Sequence, residues 1–469
     1  NTRRMTDPTM IIAMKFLGKM LTGMTQIMPK SVAHVTQRII QLSLIHGMSP
    51  VSPVGFVHFG SYIAKFGDIS GGYHYVKLAR SLLDKVGSRE CAGEVICFGT
   101  QVVAYVEPVQ AALEHHHEGY AAAMASGDIM QAAVNRILVC NHYVFTGVNL
   151  QTAREKIAEA IQFTENRKLM IIMTQMQYSQ NSVLKLIGAD EERKCTAEGE
   201  EILATNNSVM TSHYFQKVCI SFLFRSYDRM KENIGKYLAC VGNTWANLFI
   251  THAFHAFNIG LIFFWLARKS GDGDGQQWKE RGKLSKMALK KWTESSSWNF
   301  ENKWYLLEAE ELFCSNNFDA AKTYYDKAIA SAKDHKFINE EALACELAAY
   351  FYLELGQMDK ALELFLFAHE KYHEWGAFGK CTSLFEFVSR NFTSFIGSGL
   401  TLTNSNDTMG QEAAVAAPNV TGGLFSLTNT NVNMGQETAA PAAAPNVDDG
   451  DGDGLLSSLD DVLQRYSAS

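Results

Sequence analysis

The segment His-Glu-Lys-Tyr-His at residues 369–373 has the residue types and spacing of the zinc-protease signature His-Glu-x-x-His. On a helix, histidines four residues apart share one face, where both imidazoles can bind zinc while the glutamate activates a water molecule. The longer form of the signature has a third histidine, and Gly379 stands in its place. The segment therefore gives one alternative function, a zinc-dependent hydrolase that uses His369, Glu370 and His373.

Two other histidine clusters have residue types that bind metals. They are His115-His116-His117 with Glu118, and the pair His252 and His255. Neither has a carboxylate or cysteine at a spacing that completes a metal site. We interpret these histidines as helix-surface or packed side chains, and we assign no catalytic, cofactor-binding or metal residue from them.

A calcium-binding pattern occurs near the end of the chain. Asp449, Asp451, Asp453, Gly454 and Asp460 stand at places one, three, five, six and twelve of a calcium loop. The pattern resembles half of a dockerin-type repeat, but it has neither a second copy nor an entering helix. A calcium-responsive tail is thus a second alternative. The simpler interpretation is an acidic segment, 449–469, with a short amphipathic helix that docks in a partner's groove.

A repeat with a 40-residue offset indicates the architecture that positions these residues. The alanine and aromatic positions of the first copy recur in the second: Ala309, Ala321, Tyr325 and Ala328 correspond to Ala349, Ala361, Phe365 and Ala368. Small residues at helical spacing let two antiparallel helices approach closely around one aromatic ring. The pattern predicts a right-handed α-solenoid of tetratricopeptide-like helical hairpins over residues 1–395. The helix carrying His369 and His373 is then the second of a hairpin, which favours a structural role for both.

The same pattern recurs earlier in the chain. We expect two helices within 10–47, a hairpin over 55–86 that turns at Gly67-Asp68, and another around Gly127-Asp128. Glycine at the end of one helix and aspartate at the start of the next are typical of such turns. A loop is expected at 270–275, before the last repeats.

Composition changes sharply after residue 395. The stretch 402–412 recurs as 427–437, and Ala, Pro, Asn and Thr dominate around both copies. Such a sequence buries too little apolar surface to offset its ordering entropy, so 396–448 is predicted to be a disordered linker. From residue 396 onward nine acidic residues face one basic residue, a net charge of −8, whereas the body carries +1. A near-neutral body excludes a broad basic surface for nucleic acid.

Three further observations concern the membrane, the redox state of the cysteines and the start of the chain. The apolar stretch 248–267 contains Thr251, His252, His255 and Asn258, which would be costly in lipid, so we expect a buried helix and no membrane span. Nine scattered cysteines without a Cys-x-x-Cys pair favour reduced thiols and a cytoplasmic location. The chain starts at Asn1 without a signal-peptide pattern, which suggests a fragment or a processed product.

Several of these segments resemble one family. Tyr-x-x-Trp-Gly-Ala-x-x-Lys at 372–380, Phe-Gly-Asp-Ile at 66–69 and Ala-Ser-Gly-Asp at 125–128 are similar to the helical region of large microbial signalling proteins. Those proteins join a serine/threonine kinase, a predicted ATPase, tetratricopeptide-like helices and often a sensor histidine kinase. The resemblance spans about residues 10–390 and implies a helical region that follows an ATPase module. Kinase motifs and a nucleotide-binding loop are absent from the sequence, so catalysis does not carry over.

The sequence therefore predicts a non-catalytic interaction or regulatory module. We expect a scaffold whose solenoid groove binds a protein or peptide, together with an associated ATPase or kinase domain. No cofactor, nucleic acid or membrane partner is expected.

Overall fold

The computed structural model describes residues 3–27, 31–189, 196–243 and 249–392, and these ranges are almost entirely helical. The helices in chain order are α1 Pro8–Ile27, α2 Val32–His46, α3 Ser52–Lys65, α4 Ile69–Val86, α5 Ala92–Val103, α6 Ala112–Ser126, α7 Ile129–Phe145, α8 Leu150–Glu165, α9 Met170–Ile187, α10 Ala197–Thr205, α11 Asn207–Leu223, α12 Tyr227–Cys240, α13 Thr251–Lys269, α14 Asp272–Thr293, α15 Ser297–Cys314, α16 Phe318–Asp334, α17 Ile338–Glu354, α18 Met358–Trp375 and α19 Phe378–Asn391. The disordered linker, the calcium pattern and the acidic segment predicted beyond residue 392 lie outside the described ranges.

Consecutive helices pack as hairpins, and each hairpin packs on the next. The closest partners include α3 with α4, α6 with α7, α15 with α16, and α17 with α18. Short turns force neighbouring helices to run back alongside each other. The predicted all-α solenoid of tetratricopeptide-like hairpins is confirmed over the described ranges.

The turns between the helices have the predicted chemistry. Gly127 has a left-handed backbone with φ of 76°, and Asp128 caps α7 by accepting a hydrogen bond from the backbone N–H of Gln131. Asp68 caps α4 in the same way, accepting from Gly71 at 2.8 Å. Between α6 and α7, the glycine thus ends one helix and the aspartate that follows it starts the next.

One predicted loop is shorter in the structure. The expectation of a loop over 270–275 is wrong, because α14 begins at Asp272. Asp274 lies in the first turn of this helix, where a carboxylate interacts favourably with the positive end of the helix dipole.

Small side chains bring the paired helices together as the repeat predicted. Ala321, Ala328, Ala361 and Ala368 are buried, and Tyr325 fills the space between its helices. Each alanine lets the facing helix approach closely, so that a ring can pack without leaving a cavity.

The buried fraction of a helix alternates between high and low along much of the chain. Eleven of the twelve residues of α5 and twelve of the fourteen residues of α3 are buried, but only six of the eighteen in α4. A helix that buries nearly every residue is covered on all sides. The odd-numbered helices α3, α5, α7, α9, α13 and α17 therefore form an inner layer, and α4, α8, α12, α16 and α18 lie outside them.

Helix α13, which contains most of the apolar stretch 248–267, belongs to this inner layer. Helix α13 buries Phe254, Phe257, Phe264 and Trp265 among its neighbours. Within the described ranges, every helix is too short or too polar to cross a lipid bilayer.

Candidate functional site

The His-Glu-x-x-His segment lies in the last turns of α18. His369 is 3% exposed and points inward, whereas Glu370 on the next position is exposed to solvent. Burial, with a smaller contribution from the neighbouring His373, lowers the pKa of His369 to about 4. His373 packs its ring against Phe378. In the described part of the chain, no three His, Cys, Asp or Glu side chains are placed to share a metal ion.

The other histidines are likewise held by packing. His116 is buried between Gln101 and Asn135, with ring nitrogens 2.8 Å and 2.9 Å from their side chains. His255 stacks on Phe215 with ring centroids 3.6 Å apart, and its Nδ1 lies 3.1 Å from the hydroxyl of Tyr237. Burial lowers the pKa of both histidines to about 3, so both are neutral at pH 7.

The Trp-Gly-Ala segment has a structural explanation. The indole nitrogen of Trp375 donates a hydrogen bond to the carbonyl of Val148, which is 227 residues away in sequence. Gly376 ends α18 with φ of 88°, and Ala377 starts the turn into α19 in a fully buried position. This segment ties the last hairpin to the turn between α7 and α8.

Two buried ion-pair clusters connect the last hairpins to each other and to distant turns. The ammonium of Lys380 lies 2.7 Å from Oε1 of Glu346. The other carboxylate oxygen of Glu346, Oε2, accepts a hydrogen bond from the hydroxyl of Tyr372. Lys380 also donates to the carbonyl of Leu223 at 2.5 Å. Burial lowers the pKa of Lys380, although Glu346 opposes this effect.

The second cluster joins α15 to α17. Lys303 is 0% exposed and pairs with Glu340 at 2.7 Å. Its ammonium also donates to the carbonyl of Asn299, whose side-chain amide donates to the carbonyls of Ala104 and Glu107. Burial lowers the pKa of Lys303 and raises that of Glu340. Shifted lysine and carboxylate pKa values also occur in active sites, but here each group is enclosed by packing and has partners that stabilise the fold.

Long-range contacts join the end of the described chain to turns between the earlier helices. The segment 297–391 contacts the turns near residues 104–110, 144–149 and 185–188. Where α19 meets the end of α9, a Cβ added to Gly379 would lie 2.6 Å from the backbone of Gly188. In the described chain α3 and α5 are almost fully buried. The groove expected along the inner face stays a prediction.

An exposed surface lies instead on the outer face of α14. Leu284 is 67% exposed and Met287 is 63% exposed, one helical turn apart. Six cations and one carboxylate occur between Trp278 and Trp292. We call Leu284, Met287 and the flanking cations the α14 face.

Some of the cations near this face are already neutralised. Lys283 pairs with Glu280 at 2.7 Å, and Lys286 pairs with Glu308 and Glu311 at 2.7 Å and 2.6 Å. The rest have no carboxylate within ion-pair distance in the described part of the chain: Lys279, Arg281, Lys290 and Lys291. The face therefore combines exposed apolar area with an excess of positive charge.

The chain is similar to solved structures of other proteins. The chain matches no protein-family model and no curated protein. Among solved structures, it matches the crystal structure of the yeast protein Tom70 at 12% sequence identity and a TM-score of 0.30. The match covers 82% of this chain and 92% of the Tom70 chain.

Proposed function

We propose that this chain is a non-catalytic helical-repeat module that binds another protein through the α14 face. The observation that carries the proposal is the exposure of Leu284 and Met287 on one side of a packed helix. Adjacent exposed large apolar side chains on a packed helix are typical of an interaction surface.

The charge of the face indicates the kind of partner. Lys290 and Lys291 follow Met287 by one turn, and Arg281 precedes Leu284. A partner that buries the two apolar side chains must place acidic groups near these cations, since cations brought close to a basic partner would repel it. We infer that the partner is an acidic amphipathic helix.

The resemblance to microbial signalling proteins supports a finer proposal. The module would regulate an ATPase or kinase, either in the same protein or in a partner, from a cytoplasmic location. Coupling would then require that binding at the α14 face changes the rate of nucleotide hydrolysis or phosphoryl transfer by that enzyme.

Fluorescence anisotropy with a labelled acidic peptide tests the first proposal. The probe is a designed helical peptide with leucine on one face and glutamate on the other, titrated with the full chain. Replacing Leu284 and Met287 together by Glu should weaken binding about tenfold or more, because apolar contact is lost and repulsion is added. Phe367→Glu is the control, since Phe367 is also an exposed apolar residue but lies on α18.

Two results would overturn the proposal. One is equal affinity for the double variant and the Phe367→Glu variant. The other is binding to vesicles of anionic lipid that is lost in the double variant, together with no binding of the peptide, which would make the α14 face a membrane-surface site.

A further inference from the structure

A second site lies between α6, α7 and α8. A cavity of about 200 Å³ opens there, lined among others by His117 of α6, Arg136 and Tyr143 of α7, and Lys156 and Glu159 of α8. It is remote in sequence from the α14 face and from the His-Glu-x-x-His segment. The cavity brings two cations from different helices to one space.

The guanidinium of Arg136 is held by aromatic rings. Its central carbon lies 4.3 Å from the ring centroid of Tyr120 and 4.9 Å from that of Phe163. Stacking uses the flat faces of a guanidinium and leaves the N–H groups at its edge free to donate. The rings therefore hold the guanidinium beside the cavity without using its N–H donors.

Carboxylates of the protein do not neutralise Arg136. Glu159 is the acidic side chain of the cavity lining, and Lys156 contacts both of its oxygens, at 3.0 Å and 3.2 Å. In the described part of the chain, no carboxylate lies within ion-pair distance of Arg136. Arg136 thus gives the cavity a net positive charge.

Neutral polar groups complete the lining. The Nε2 atom of His117 lies 3.1 Å from the hydroxyl of Tyr143. Burial, Arg136 and Lys156 together lower the pKa of His117, so this ring is neutral at pH 7. A neutral imidazole and a phenol can each donate to, or accept from, a bound polar group.

We propose that this cavity binds one oxyanion, a carboxylate or a phosphate, through paired N–H donors of Arg136. A guanidinium edge matches two oxygens of either group, and such charge-assisted pairs are among the strongest hydrogen bonds in proteins. Lys156 adds positive charge at the same cavity. The proposal does not depend on the α14 face.

Titration calorimetry of the full chain at low ionic strength tests this site with two probes, inorganic phosphate and succinate. We expect saturable one-to-one binding of at least one probe, and the probe that binds distinguishes a phosphate ligand from a carboxylate ligand. Arg136→Gln should weaken binding about tenfold or more, because the charge and the paired donors are both lost.

Arg167→Gln is the matched control. Arg167 stacks on the same ring, Phe163, at 3.9 Å, but donates to the carbonyl of Phe163 and does not line the cavity. Binding should be unchanged in this variant. Arg136→Lys keeps the charge without the paired donors and should weaken binding about fivefold. This second variant keeps the test valid if Arg136→Gln does not fold. Absence of saturable binding by both probes, or equal affinity in the Arg136 and Arg167 variants, would overturn the proposal.

Discussion

At the residue scale, the charged and histidine side chains that suggested chemistry in the sequence are used for packing. His369 and Glu370 are adjacent in sequence, yet one is buried and the other faces solvent. Lys380 and Glu346 form a buried pair, with Tyr372 donating to the same carboxylate and Arg225 at 3.7 Å from it. The stability of the fold should therefore depend on a neutral His369 and on the pairing of Lys380 with Glu346.

Acid should destabilise the protein between pH 7 and pH 5. Burial lowers the pKa of His142 and His369 to about 4, and that of His116 and His255 to about 3, from an ordinary value of 6.5. The unfolded chain then binds more protons than the folded chain below about pH 6.5, so stability falls as pH falls. Each such histidine costs on the order of 1–2 kcal/mol at pH 5.

Thermal unfolding followed by circular dichroism measures this effect. We expect the midpoint to drop steadily from pH 7 to pH 5, and the drop to be smaller in His255→Gln, which removes one titrating group. A midpoint independent of pH over this range would show that the buried histidines are not neutral in the folded state.

Removing the carboxylate at position 346 should destabilise the fold strongly. Glu346→Gln leaves the buried ammonium of Lys380 without an anion, which costs about 3–5 kcal/mol. Urea denaturation of this variant should be compared with that of Glu386→Gln, whose exposed pair with Arg390 contributes little. Equal denaturation midpoints for the two variants would mean that the buried pair does not stabilise the hairpins.

At the element scale, the sequence predicted the hairpins because their signals are local. Alanines at helical spacing and Gly-Asp turns act within about 20 residues, so Gly127-Asp128 could be assigned without a structure. The start of α14 at Asp272 was missed, because two glycines in a first turn have the composition of a loop.

Because the helices approach closely, the same substitution should change stability differently at two neighbouring alanines of α16. Ala328 is buried against the facing helix, and Ala330 is exposed. Ala328→Leu should destabilise the protein by about 1–3 kcal/mol through overpacking, whereas Ala330→Leu should have little effect. Urea denaturation checks both, and equal effects would contradict close packing at Ala328.

At the scale of the whole molecule, turns between the earlier helices contact hairpins far away in sequence. Gly188 and Gly379 meet backbone to backbone, and Asn299 donates to the carbonyl of Ala104. The sequence did not predict these contacts, because single glycines and asparagines have no periodic pattern. The α14 face was missed for a related reason: its cations suggest a solvated helix until the exposure of Leu284 and Met287 is known.

A methyl group at Gly379 should disturb the meeting point of distant hairpins. Its Cβ would lie 2.6 Å from the backbone of Gly188, so the two segments must separate. Gly379→Ala should lower the thermal midpoint. Gly235→Ala is the control, since a Cβ on this helical glycine has no neighbour within 4 Å and alanine favours the helix by up to about 1 kcal/mol. An unchanged midpoint for Gly379→Ala would contradict the close contact.

Cross-linking between Asn149 and Glu374 tests the central claim most directly. This claim is the contact of the last hairpins with turns between the earlier helices. The side-chain amide of Asn149 donates to the carbonyl of Glu374 at 3.4 Å, and both residues are exposed. Cysteines would be placed at these two positions after reagent-accessible native cysteines are replaced by serine, and single-cysteine variants serve as controls. The account predicts an intramolecular cross-link by a short bismaleimide, identified by mass spectrometry. Two separately modified cysteines without a link would show an open array and contradict it.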